Sequence, residues 1–103
     1  MEKKEFDIEW ELDVPGMRVG NYAALVEYGD GNCDSAFGHT AQFQNTLHQV
    51  IDTVTRNWCN AMSWYSQHLP KSLERELGGK ICLYSVDGEE SILVATGTPV
   101  EAA

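Results

Sequence analysis

From Glu5 to Val14 the chain alternates without a break, with Phe6, Ile8, Trp10, Leu12 and Val14 on one side and Glu5, Asp7, Glu9, Glu11 and Asp13 on the other. A period of two belongs to an extended strand with one face in a core and the other in water. A strand that amphipathic must join a sheet, because its apolar side needs a covering layer and its backbone needs partners. Pro15 and Gly16 stop the run. The apolar stretch Asn21 to Tyr28 follows closely enough to pair back on the first strand as a hairpin. Gly29 to Asn32 forms a turn, and Ser35 to His39 supplies a short third strand.

Beyond Thr40 the period changes. Phe43, Leu47, Val50, Ile51, Val54, Trp58, Ala61, Met62, Tyr65 and Leu69 recur at spacings of three and four, which places them on one helix face. With Thr40 as its cap, a helix to Leu69 would be roughly 40 Å long, enough to cross a small sheet. Pro70 ends it or opens the next turn, and Lys71 to Leu77 reads as a short helix stopped by Gly78. Lys80 to Val86 and Ser91 to Thr96 are two β-rich runs joined through Asp87 and Gly88, a hairpin. The fold class is therefore α+β: an antiparallel sheet of four or five strands with one long amphipathic helix across one face, in the order ββ(β)-α-short α-ββ. Residues 1–97 form one compact domain, and 98–103 are expected to fray for want of apolar periodicity.

At 103 residues the chain has material for one core. A formal charge of −9, with Lys3, Lys4, Arg18, Arg56, Lys71, Arg75 and Lys80 scattered along the chain, argues against direct contact with nucleic acid or an anionic membrane. No apolar h-region follows Lys3 and Lys4, and no run approaches the length of a membrane span. Three widely spaced cysteines, Cys33, Cys59 and Cys82, fit a reducing compartment, so the expected location is the cytosol.

Two surface features stand out. On an extended strand Glu5, Asp7, Glu9, Glu11 and Asp13 form a row about 6.8 Å apart. The plain reading is a solvated face that discourages edge pairing. The functional one is a docking strip for a basic protein, including one that normally grips nucleic-acid phosphates. Joint chelation of a cation would require the strand to bend, because ligand bonds are only about 2.3 to 2.6 Å long. The second feature is the long helix's outer face, which carries Gln42, Asn45, Thr46, Gln49, Thr53, Asn57, Asn60, Ser63, Ser66 and Gln67, with only Asp52 and Arg56 charged. Trp64 sits beside Asn57 and Asn60. Charge depletion next to an aromatic resembles the centre of an interface, so these three residues are assigned to self-association; the alternative packs Trp64 against the short second helix.

Signals for catalysis are weak. His48 and Cys59 share a helix face about 16 Å apart, too far for one zinc ion, and no cysteine or histidine pair has short ligand spacing. Asp30, Asn32 and Asp34 match the opening of a calcium loop, but Ser35 and Ala41 occupy positions that need glycine and glutamate. No phosphate loop, dinucleotide fingerprint or nucleophile elbow is present. No metal or cofactor is expected.

In size, acidity and lack of catalytic motifs the chain resembles the small accessory proteins encoded by bacterial prophages, which implies action by binding a host or phage macromolecule. The leading expectation is a non-enzymatic binding or regulatory module, homo-oligomeric through the outer helix face and docking a basic protein through the acidic strand. The alternatives are a small cysteine enzyme using Cys33 with His39, and a passive assembly component.

Overall fold

The computed structural model describes residues 5–29, 31, 33–35 and 41–102. The elements follow as β1 (Phe6–Leu12), β2 (Val19–Glu27), β3 (Cys33–Ser35), β4 (Ala41–Thr46), α1 (Leu47–His68), α2 (Pro70–Leu77), β5 (Lys80–Asp87) and β6 (Glu90–Glu101). The strands form one antiparallel sheet in the order β1-β6-β5-β2, with β3 and β4 end to end along the outer edge of β2. Among the described residues six strands thus fill five positions. The α+β class, the antiparallel sheet and the long helix over one face are as the sequence predicts.

Alternation decides which face the helices cover. Along β2, Tyr22, Ala24 and Val26 are buried while Ala23 and Leu25 between them stay partly exposed. The buried set continues through Phe6 and Ile8 on β1, Ile81 and Leu83 on β5, and Ala95 on β6, and it packs with Leu47, Val50, Val54, Trp58 and Met62 of α1. Across the three central strands Ala24, Leu83 and Ala95 stand opposite one another. The two alanines leave Leu83 as the large side chain of that row.

Gly97 has a specific packing role. It faces Trp10 across the β1–β6 ladder, and a Cβ built there would meet Ile8 Cγ2 at 2.7 Å and two Trp10 ring carbons at 2.9 Å. The indole fills the space a side chain would take, and its Nε1 donates to Thr55 Oγ1 at 2.9 Å, tying β1 to α1.

The long helix starts later than its periodicity suggests. Ala41–Thr46 pairs with β2 from Ala24 to Val19, and α1 begins at Leu47; Thr40, the expected cap, lies outside the described residues. The cap is Thr46, whose extended backbone (φ −69°, ψ 151°) lets its hydroxyl accept from Gln49 N at 3.3 Å. The turn after β1 completes the job: Leu47 N donates to Arg18 O at 3.1 Å and His48 N to Gly16 O at 2.8 Å. The first three helical N–H groups are therefore satisfied within the fold. Thr46→Ala should destabilise the protein by about 1 kcal/mol, the usual value of a lost cap, read as a lower urea midpoint with unchanged slope.

Two other expectations are corrected. β1 and β2 do not form a hairpin; β6 and β5 lie between them, and the 15–18 connection is spent on α1's N-terminus. Residues 98–101 do not fray either. They continue β6 against β1, from Glu9↔Thr98 to Phe6↔Glu101. Pro99 is tolerated in that strand because its partner Ile8 points its N–H away from β6, to Asp7 Oδ1 at 2.8 Å, marking a pair whose backbone groups face outward on both strands. The predicted hairpin through Asp87 and Gly88 is present, with Gly88 at φ 61° and Asp87 opposite Glu90.

Candidate docking surfaces

Glu5, Asp7, Glu9, Glu11 and Asp13 are all exposed on or beside β1, the edge strand. Their neighbours across β6 are uncharged: Val100 opposite Asp7, Thr98 opposite Glu9 and Thr96 opposite Glu11. The two helices carry Arg56, Lys71 and Arg75 against Asp52, Glu74 and Glu76, so they balance to zero. The whole formal charge of −9 therefore lies outside the two helices.

The row is not uniform. Asp7 turns to the free edge, where it accepts the Ile8 N–H, and with Glu5 it reaches an open groove between β1 and α1 lined also by Phe6, Cys59, Asn60, Ser63 and Ala102. Glu9, Glu11 and Asp13 lie outside that groove. Along the chain the acidic row and the outer helix face are separate features; the fold makes them adjoin, with Asn60 on the groove's far wall.

Inside this groove the Cys59 thiol is held above its ordinary pKa, first by burial and then by the negative charge of Asp7. Both effects disfavour the thiolate, the opposite of what a nucleophile needs. Cys59 should therefore alkylate more slowly than a free cysteine peptide at the same pH. Asp7→Asn keeps the acceptor for Ile8 N–H while removing the charge, so it should raise the rate modestly, as followed by mass spectrometry of iodoacetamide adducts.

Asn57, Asn60 and Trp64 share one face of α1 and are exposed, as their assignment requires. Trp64 is 52% exposed, with its ring 4.6 Å from that of His68 and edge-on to Tyr65 at 5.9 Å. The polar outer face is shorter than expected, because Gln42, Asn45 and Thr46 precede the helix and Ser63 is buried.

Cys33 lies in β3 opposite Glu27, whereas His39 lies outside the described residues, as do Asp30 and Asn32 of the calcium-like turn. Among the described residues no three His, Cys, Asp or Glu side chains gather as a metal site would require, and no helix is long and apolar enough to cross a membrane. No protein-family model, curated protein or solved structure matches this chain.

Proposed function

We propose that this chain is a non-enzymatic docking module that presents the acidic strand β1 to a basic protein partner. The supporting observation is the segregation of charge: exposed carboxylates along one edge strand, uncharged residues opposite them on β6, and electrically balanced helices behind. Protecting an edge takes only a charge or two, and Asp7 already does this by capping the Ile8 N–H. The remaining carboxylates form a field that steers and orients a cationic surface, including one shaped to grip phosphates. A small acidic accessory protein of prophage origin, acting on a host protein in the cytosol, fits this reading.

The test leaves Asp7 in place and converts Glu5, Glu9 and Glu11 to Gln. Partners cross-linked to the wild-type chain in a cell extract should be lost from this variant and should weaken steeply with salt. Recovery of the same partners by the neutralised strand would refute the docking role.

A second reading, self-association through α1, rests on the half-exposed Trp64 ring on a face poor in charge. Trp64→Glu should then reduce the solution mass measured by light scattering while leaving the far-ultraviolet dichroism unchanged. An unchanged mass would count against it.

A further inference from the structure

Both helices cover one face of the sheet, and the opposite face has a lateral gradient that β1 alone does not reveal. Register places Ala23 and Leu25 of β2 beside Cys82 and Tyr84 of β5, and Leu93 of β6 beside Tyr84. Cys82 is 5% exposed, whereas Leu93 is 40% exposed. Thr96 and Thr98 of β6 come next, and beyond them Glu11 and Glu9 of β1. The face thus grades from an apolar strip through threonines to carboxylates.

We infer that this face, over which neither helix packs, seats a basic amphipathic helix of the partner, with the apolar stripe on Leu25, Tyr84 and Leu93 and lysines or arginines over Glu9 and Glu11. The inference rests on the proposed function and names the shape of the partner's contact. Charge complementarity selects the occupant. Among the described residues Glu9, Glu11 and Glu27 on this side are met by Lys80, which stands opposite Glu27, so a second copy would bring like charge against like. Geometry selects the form. Strands are about 4.8 Å apart, so β1 lies about 10 Å from β5. A helix about 10 Å across, centred on β5 and β2, puts its flanking residues over β6, from which a lysine or arginine stem reaches the β1 carboxylates. Docking would complete a three-layer arrangement, with α1 on one face and the partner helix on the other.

The probe is an 18-residue synthetic helix with leucines at spacings of three and four and lysines along one flank, titrated into the ¹⁵N-labelled full chain. The same design with glutamates for lysines, and a lysine peptide with scrambled order, serve as controls. Shift changes should cover Leu25, Tyr84 and Leu93 together with Glu9 and Glu11, and spare Asn57 and Trp64. Leu93→Asn should weaken binding about tenfold, and Glu9→Gln with Glu11→Gln should flatten its salt dependence.

Changes confined to β1, with the scrambled peptide binding equally well, would overturn the helix seat while leaving the acidic docking strand intact. Changes centred on Trp64, or a doubled mass of the free protein with the sheet face broadened, would overturn it in favour of the outer helix or a second copy. No binding by any lysine peptide would overturn both the seat and the docking strand.

Discussion

Gly97→Val should cost about 3 kcal/mol of folding stability, at the upper end for overpacking a well-filled site, and lower the melting temperature by well over 10 °C. The obstruction lies in two side chains that cannot step aside together. Ile8 is buried, and the Trp10 indole is held to Thr55 by its N–H. Gly97→Ala should show the same effect at smaller size, since the Cβ alone falls within 3 Å of both. In a Trp10→Leu background the ring carbons are gone, and the cost of Gly97→Ala should fall measurably, leaving the Ile8 methyl as the remaining obstacle. Equal costs in both backgrounds, measured by urea unfolding, would show that the indole does not hold this position empty.

The second large effect is expected at Leu83→Ala, about 3 to 5 kcal/mol. Leu83 is fully buried on a central strand, and its neighbours in the row are Ala24 and Ala95. Alanines have no side chain to lean into a vacated space, so the cavity stays open and its cost adds to the lost transfer energy of the leucine. A loss below about 1.5 kcal/mol would mean that α1 settles onto the sheet to close the gap.

Much of the fold is legible in the residues, and the misreadings share a physical pattern. The alternation of β1, the Asp87–Gly88 hairpin, the short helix after Pro70 and the covering long helix are all local signals, and each element forms, the long helix with a later start. The start of α1 departs from the periodicity because Phe43 and Leu47 lie four apart, a spacing that suits a helix, whereas the backbone before Leu47 is paired with β2. A better signal was present in Thr46-Leu47-His48-Gln49, a capping-box spacing at the observed boundary. Residues 98–101 carry no local strand signal because Thr98, Pro99 and Val100 show no period, and only a long-range partner, β1, makes them a strand.

The candidate surfaces divide in the same way. Exposure of the acidic row and of Asn57, Asn60 and Trp64 could be read from spacing, because strand and helix periods fix which residues share a face. Their adjacency could not, because it depends on how α1 crosses the edge of the sheet, bringing Asn60 and Cys59 against Glu5 and Asp7. The gradient across the open face was equally hidden: it is assembled from β2, β5, β6 and β1, which are ordered in space by pairing.

By itself, then, the sequence determined the elements with strong local periods, the face each would bury and the sign of the surface charge, since these follow from backbone geometry and side-chain chemistry over a few residues. Only the tertiary structure decided that β1 pairs with β6 and not with β2, that the intervening turn caps α1, and that carboxylates, threonines and apolar residues lie side by side on one face. Strand pairing is a competition among distant partners for the same hydrogen bonds and the same covering layer, and neighbouring residues along the chain carry no record of its outcome.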